Sequence, residues 1–255
     1  MVILKSPREI EKIRRSNQMV AEILDQLGKR VAPGIDTLTL NRISEELAAK
    51  KKAKAAFKGY RGFPFSLCAS VNEQVVHGFP SKIPLKEGDI LSMDFGIYHD
   101  GYYGDSAITV AVGHISEDVA RLLEVTKESL FRGIEQAVPG RRLSDISHAI
   151  QQHVERAGYS VVRKFVGHGI GKDLHEDPQV PNYGKPGLGV RLQPGMVMAI
   201  EPMVSMGGYD VETLEDGWTA VTKDRSLSAH FEHTIAVTEE GPVILSMVNG
   251  QQPDV

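Results

Sequence analysis

Apolar residues recur every three or four positions in four stretches of the chain, which is the spacing of an amphipathic helix. The first stretch runs from Ile10 to Leu27 and follows Ser6-Pro7, with Glu9 three positions after the serine. Serine with glutamate at the third following position caps a helix, and proline suits the first turn. The pattern therefore predicts a helix that begins after Ser6 and ends at Gly28. The other three stretches predict helices over 37–52, 117–131 and 144–157.

Elsewhere the apolar residues come in short runs bounded by Gly, Pro and Asp, which is typical of strands. In the middle of the chain such runs cover 67–71, 89–95 and 108–112, and strand-like sequence resumes after the last helix. Helices and strands are thus grouped rather than strictly alternating, which favours an α+β fold.

The order helix, Pro-Gly turn, helix, strands occurs twice along the chain. Each half also carries two acidic residues on equivalent strands: Asp94 and Asp105, then Glu201 and Glu232. We therefore expect a single domain over 1–255. Its two pseudo-symmetric halves would span approximately 6–112 and 117–245.

Composition and charge exclude several classes of protein. The chain has 255 residues, with 29 Lys and Arg against 33 Asp and Glu, and a net charge of −4. A broad basic surface for nucleic-acid readout is therefore not expected. No apolar run reaches the roughly 18 residues of a membrane span, and charges interrupt the first apolar stretch too early for a secretory signal. Cys68 is the single cysteine, which excludes an intramolecular disulfide and suits the cytoplasm.

Two of the four acids lie at the ends of strongly apolar runs, where burying a carboxylate is costly unless it is paired or metal-bound. If the two halves face one another, all four carboxylates converge and two divalent cations would offset their charge. The alternative is that each acid faces solvent at a strand end. That alternative is common for a single aspartate but explains four acids placed by a repeat less well.

Three histidines suit contacts with a ligand. His168 lies between glycines in Gly167–Gly171, which predicts a loop after a strand, where the backbone can approach a ligand closely. His175 follows seven positions later, and His77 occupies a similar place in the first half. One imidazole with four carboxylates favours Mn, Fe or Co over a structural zinc. The alternative, a hydrogen-bonded structural histidine, is our interpretation of the other six: His99, His114, His148, His153, His230 and His233.

Taken together, these segments resemble the type I, bacterial-type methionine aminopeptidases, metallopeptidases of the pita-bread fold. The resemblance covers about residues 5–245 and rests on four segments: Asp94 with Asp105 eleven positions later, Gly-His168-Gly-Ile-Gly, Ile-Glu201-Pro-Met and Phe-Glu232-His-Thr. It implies a curved, mainly antiparallel sheet covered by helices.

The resemblance further implies that five residues hold two divalent metal ions (Co, Mn, Fe or Zn): Asp94, Asp105, His168, Glu201 and Glu232. Asp105 and Glu232 would bridge the ions, His168 and Glu201 would complete one, and Asp94 the other. The implied reaction is removal of N-terminal methionine when the second residue is small, by a hydroxide bridging the two metals. Glu201 would carry the proton.

The same resemblance implies residues that contact the substrate. His77 and His175 would be catalytic, and four residues match the methionine pocket: Tyr60, Phe63, Cys68 and Trp218. An ordinary core role is the alternative for Phe63 and Trp218, and Cys68 is expected to line the pocket rather than act as a nucleophile. Three neighbours differ from residues that some relatives carry: Phe57, Arg61 and Leu174.

The implied partners are the N-termini of nascent proteins and peptides, in proximity to the ribosome, with no membrane contact and a monomeric chain. One alternative is a relative of the Xaa-Pro aminopeptidases or dipeptidases, which normally carry an additional N-terminal domain, whereas this sequence starts at the first helix. The other is a non-catalytic peptide-binding pita-bread module, which would lack some of the metal ligands.

Overall fold

The computed structural model describes residues 2–248, and four α-helices lie close to the predicted positions. They are α1 Pro7–Gly28, α2 Thr37–Lys50, α3 Glu117–Ile134 and α4 Leu143–Arg156. The Ser6 side chain accepts from the Glu9 amide and the Glu9 carboxylate accepts from the Ser6 amide, so the predicted capping box is confirmed. Helix α2 ends before the predicted Lys52, which adopts a left-handed backbone with φ 55°.

The described chain also contains fifteen strands. They are β1 Lys54–Ala55, β2 Leu67–Val71, β3 Gln74–Val76, β4 Ile90–His99, β5 Tyr102–Ala111, β6 Ser160–Val161, β7 Gly167–Gly169, β8 Glu176–Val180, β9 Val197–Ile200, β10 Met203–Ser205, β11 Val211–Thr213, β12 Ala220–Thr222, β13 Ser228–His230, β14 Glu232–Thr238 and β15 Gly241–Ile244.

In the described part of the chain, the largest sheet has nine strands in the order β1-β4-β5-β14-β9-β7-β8, with β2 added to β4 and β15 to β14. Every pairing in it is antiparallel. Two three-stranded sheets, β13-β10-β6 and β11-β12-β3, adjoin it. Strands from the two halves of the chain therefore meet at the β5–β14 pair in the middle of the large sheet.

The prediction of a strand over 108–112 is wrong at its start, because β5 begins at Tyr102. The first half of β5 contains polar residues such as Asp105 and Ser106, so it lacks the alternation of apolar and polar residues that predicts a strand. The strand continues through that segment because β4 pairs with it over its whole length, from Ile90–Ala111 to His99–Tyr102.

The helices bury their apolar faces in two main clusters. Residues of α1 and α2, such as Leu24 and Leu40, pack with β4 residues such as Met93. Helices α3 and α4 pack in the same way around β9 and β14, where Leu130 and Ile235 are almost fully buried. Each helix pair thus covers one half of the curved sheet. Within residues 2–248, no helix has the length and apolarity needed to cross a membrane.

Candidate metal centre

Five adjacent strands bring the predicted ligands together from positions far apart in the sequence. The order β4-β5-β14-β9-β7 places side by side the strands that carry them, with Glu201 directly after β9: Asp94, Asp105, Glu232, Glu201 and His168. Within this arrangement Glu232 pairs with Ala107, two residues beyond Asp105, and His168 pairs with Ala199, two residues before Glu201. The sheet order therefore explains the convergence that the internal repeat predicted.

The ligand atoms lie at the separations that a shared cation requires. His168 Nε2 is 3.8 Å from Asp105 Oδ2 and 3.6 Å from Glu201 Oε1. The nearest ligand atoms of Asp105, His168 and Glu232 all lie within 4.8 Å of one another. Asp94 lines the same cavity as these three residues.

The backbone of Asp105 is fixed from two sides. Its amide donates to Asn17 Oδ1 of α1 at 3.1 Å, and its carbonyl accepts from Thr234 Oγ1 of β14 at 2.8 Å. Helix α1 comes this close because the next residue toward the N-terminus is Gly104, where a Cβ would lie 2.6 Å from the backbone of α1. On the other side of the centre, Asn182 Nδ2 donates to the Glu201 carbonyl at 2.9 Å.

The four carboxylates resist ionising together. Burial raises the pKa of Asp94 to about 7, partly offset by its hydrogen bond with Asp105. Burial, followed by the charges of Asp94 and Glu201, raises the pKa of Asp105 well above its usual value. Burial is also the main reason that the pKa values of Glu201 and Glu232 are raised. Removing neighbouring carboxylates from water disfavours the charged form of each.

Unpartnered oxygens show that this cluster suits cations. Asp94 Oδ1, Asp105 Oδ1 and Glu232 Oε1 are buried and have no hydrogen-bond partner among the described residues. An unsatisfied buried polar atom is costly, and the cost is removed when the oxygen binds a metal ion. Four carboxylates and one imidazole form an oxygen-rich donor set suited to divalent ions such as Mn, Fe or Co. The residues therefore fit a divalent metal centre.

The prediction that His168 lies in a loop after a strand is wrong, because Gly167–Gly169 is itself β7. The flanking glycines are explained by strand crowding rather than by a ligand. A Cβ at Gly167 would lie 2.3 Å from the Ala199 carbonyl oxygen, and one at Gly169 would lie 2.2 Å from that of Asp177. Only glycine permits such close approach of backbones on both sides of His168.

His175 and His77 lie beside the metal cluster. The Tyr60 hydroxyl is 2.9 Å from His175 Nδ1, and the His175 ring is 4.2 Å from that of His168, centre to centre. His77 has a left-handed backbone, φ 60°, and makes an edge contact with Trp218 at 6.1 Å. Burial lowers the pKa of His175 to about 3 and that of His77 to about 4. Both rings are therefore neutral at pH 7.

The cluster forms one wall of a cavity of about 140 Å³. All the residues predicted for the methionine pocket line it: Tyr60, Phe63, Cys68 and Trp218. Phe63 contacts Trp218 edge to face at 5.2 Å, and burial raises the pKa of the Cys68 thiol well above its usual value. Cys68 is thus a neutral wall residue rather than a thiolate. The three residues that depart from some relatives also line the cavity: Phe57, Arg61 and Leu174.

Among the histidines interpreted as structural, His230 behaves differently. His233 fits the interpretation, because its Nδ1 lies 2.8 Å from Ser246 Oγ. His230 is buried, its Nε2 has no hydrogen-bond partner in the described chain, and that atom is 3.8 Å from Glu201 Oε2. Sequence reasoning missed this residue, since no spacing links it to Glu201. Asn17, which contacts Asp105, and Asn182, which contacts Glu201, also have no spacing in the sequence that would link them to these residues.

The family model of the metallopeptidases matches the chain over residues 11–239, and the chain belongs to metallopeptidase family M24. Several methionine aminopeptidases are similar to the chain over nearly its whole length. Methionine aminopeptidase 1 of Bacillus subtilis is 55% identical over 248 residues, which cover 97% of this chain and 100% of the relative.

Solved structures confirm the fold. The crystal structure of methionine aminopeptidase from Rickettsia prowazekii matches with a TM-score of 0.96 at 41% identity and covers 97% of this chain and 100% of that chain. The prolidase from Pyrococcus horikoshii matches with a TM-score of 0.79 at 22% identity, over 98% of this chain and 65% of that chain. The latter shows a common fold alone. The predicted pita-bread architecture, with its curved antiparallel sheet and covering helices, is thus confirmed.

Proposed function

We propose that this protein is a metal-dependent aminopeptidase that removes the N-terminal methionine from peptides and newly made proteins whose second residue is small. The observation that carries the proposal is the convergence of four buried carboxylates and His168 on the wall of an aromatic-lined cavity. The identity of 55% to a methionine aminopeptidase over nearly the whole chain supports the same activity.

In this proposal five residues would hold two divalent ions, and Asp105 and Glu232 would serve both. His168 and Glu201 would complete one site and Asp94 the other. The central position of Asp105, whose Oδ2 lies 3.8 Å from His168 Nε2 and whose ligand atoms are grouped with those of Glu232, supports its role as a shared ligand. When bound, the ions supply Lewis acidity and a nucleophilic water near neutral pH.

The side chains of the site bind and orient the substrate and move the proton. Glu201 Oε1 faces the cluster, 3.6 Å from His168 Nε2, where it can accept a proton and pass it to the leaving amine. If the Tyr60 hydroxyl donates a hydrogen bond to His175 Nδ1, the neutral His175 ring carries its hydrogen on Nε2. This N–H can then donate a hydrogen bond to the scissile carbonyl oxygen. His77, neutral and held against Trp218, is placed to contact the scissile amide.

The cavity explains a preference for methionine at the first position. Phe63, Cys68 and Trp218 offer a polarisable apolar wall, and thioethers interact favourably with aromatic rings. Because an apolar pocket distinguishes one methylene by only about 1–3 kcal/mol, selection at the second residue is expected to be mainly steric. Small residues such as Ala, Gly or Ser would be favoured there.

We further propose that the chain acts as one catalytic domain with an internal repeat, and that it works in the cytoplasm on nascent chains near the ribosome. The repeated order of elements supports the repeat, because α1 and α2 precede β4 and β5 as α3 and α4 precede β9 and β14. A single cooperative unfolding transition of the intact chain would be expected, and two separable transitions would contradict it.

A peptide assay tests the activity. Metal-free protein is incubated with Met-Ala-Ser, Met-Leu-Ser or Ala-Pro-Ala after adding Mn, Fe, Co or Zn, and the released amino acid is measured. We expect chelator-sensitive release of methionine from Met-Ala-Ser, with little release from Met-Leu-Ser. Release of alanine from Ala-Pro-Ala alone would indicate a prolyl-directed enzyme. No cleavage with any ion would indicate a binding module.

A further inference from the structure

His230 lies behind the metal cluster rather than in the cavity. It is 1% exposed and does not line the cavity, so it is out of reach of a substrate. Its Nε2 is buried without a hydrogen-bond partner among the described residues. Buried imidazole nitrogens are normally bonded, so this atom calls for an explanation in terms of its neighbours.

The neighbour is the Glu201 carboxylate, which lies between two imidazoles. Glu201 Oε1 is 3.6 Å from His168 Nε2, and Glu201 Oε2 is 3.8 Å from His230 Nε2. Neither separation is a hydrogen bond, since an N–H···O bond spans about 2.7–3.2 Å. A shift of the carboxylate by about 1 Å would close the gap to His230.

The backbone of His230 is held by two hydrogen bonds to one side chain. Thr109 Oγ1 accepts from the His230 amide at 2.9 Å and donates to the His230 carbonyl at 2.7 Å. In addition, His230 of β13 pairs with Met203 of β10, and Met203 lies two residues after Glu201. The His230 backbone is therefore held in place, and the glutamate side chain, which has one more rotatable bond than histidine, is the group that adjusts.

We infer that His230 is a positioning residue for Glu201: its Nε2–H donates to Glu201 Oε2 in the metal-loaded protein and leaves Oε1 directed toward the metal cluster. The inference rests on the proposed function, because it assigns a support to one of the proposed ligands. A fixed Oε2 limits rotation of the carboxylate. Partners of this kind orient a ligand and typically contribute about 10- to 100-fold in metal affinity or activity.

Three variants test the inference through metal affinity. His230→Leu removes the donor, His230→Gln restores an N–H at similar reach, and His233→Gln is the matched control at a buried histidine that bonds Ser246 instead. Co²⁺ binding to each metal-free protein is measured by calorimetry. We expect His230→Leu to bind about 10- to 100-fold more weakly, with kcat reduced more than KM is raised, and both glutamine variants to stay close to wild type.

The proton on His230 is observed directly in the wild-type protein, so the inference does not depend on the folding of a variant. With ¹⁵N-labelled histidine and Zn²⁺ bound, we expect His230 Nε2 to carry a hydrogen and to show coupling across a hydrogen bond. An unprotonated Nε2, as in direct metal ligation, would overturn the inference. Equal losses in His230→Leu and His230→Gln, or no loss in either, would also overturn it.

Failure of the proposed function gives a different result. A wild-type protein that binds Co²⁺ but releases no methionine would refute the proposed activity and leave the His230 measurements decisive. A wild-type protein that binds no divalent ion would refute both.

Discussion

The Tyr60 hydroxyl lies 2.9 Å from His175 Nδ1, and the two rings stack with centres 5.3 Å apart and planes inclined by 14°. The tyrosine thereby restrains the orientation of the histidine ring. Because burial lowers the pKa of His175 to about 3, the ring is neutral at pH 7, and in the proposed mechanism it donates a hydrogen bond through Nε2. Tyr60 is consequently more than the pocket wall that sequence predicted.

Replacing Tyr60 by phenylalanine should retain the stacked ring and the pocket wall but remove the hydrogen bond that restrains the histidine ring. Since a typical hydrogen bond contributes about 0.5–1.5 kcal/mol, we expect kcat to fall by roughly three- to tenfold. Steady-state kinetics with Met-Ala-Ser measures the change. An unaltered kcat would show that the hydroxyl does not orient His175.

His175→Ala should retain its metal ions and lose most turnover. Removing a donor that stabilises a developing oxyanion typically costs about 10²–10³ in kcat. Metal content by mass spectrometry, together with kcat, checks both parts. If metal content falls to the level of the metal-free protein, His175 is a ligand and its assignment as a substrate contact is wrong.

Asp105→Asn should stabilise the metal-free protein near pH 7 while abolishing the stabilisation that metal provides. Burial raises the pKa of Asp105 in the folded chain, so at pH 7 folding is penalised by a carboxylate that the unfolded chain, with a pKa of about 3.9, ionises freely. Asparagine removes this cost, and we expect the free energy of unfolding of the metal-free protein to rise by about 1–3 kcal/mol.

The gain should depend on pH in a defined direction. For a carboxylate with a raised folded pKa, stability is present at low pH and is lost as the pH rises above the unfolded value. The difference in free energy of unfolding between metal-free Asp105→Asn and wild type should therefore disappear near pH 4. The histidines are present in both proteins and do not alter this difference. Thermal unfolding at the two pH values, with and without chelator, measures it. A variant less stable than wild type in chelator at pH 7 would contradict the account.

Metal binding should release protons. The pKa of Asp94 is raised to about 7, and those of Asp105, Glu201 and Glu232 are also raised well above their usual values, mainly by burial. Ligand carboxylates must lose these protons when a cation binds, so apparent affinity should rise with pH. Calorimetric titration at pH 7 in two buffers of different ionisation enthalpy counts them. We expect more than one proton per chain, and a heat independent of buffer would exclude the assigned ligands.

The sequence predicted the helices well because each carries a continuous apolar face, and α1 in addition begins with the Ser6 cap. It also predicted that Asp94, Asp105, Glu201 and Glu232 converge, since the internal repeat relates their strands. Convergence of this kind depends on strand order, which the repeat constrains.

Local patterns failed where backbone contacts between distant strands decide the structure. The glycines beside His168 indicated a loop, but they permit close contact with Ala199 and Asp177 on neighbouring strands. The polar start of β5 was missed because its pairing with β4 outweighs its weak alternation. His230 has no periodic relation to Glu201, and the two residues come together because β13 pairs with β10 in one sheet. Such supporting residues are found only from the folded chain.

The most direct test of the account is anomalous diffraction from crystals of the protein soaked in Co²⁺. We expect two anomalous peaks within the cavity, enclosed by Asp94, Asp105, His168, Glu201 and Glu232, with Asp105 and Glu232 bound to both ions. Peaks located elsewhere, or a fully soaked crystal with no peak among these five side chains, would contradict it.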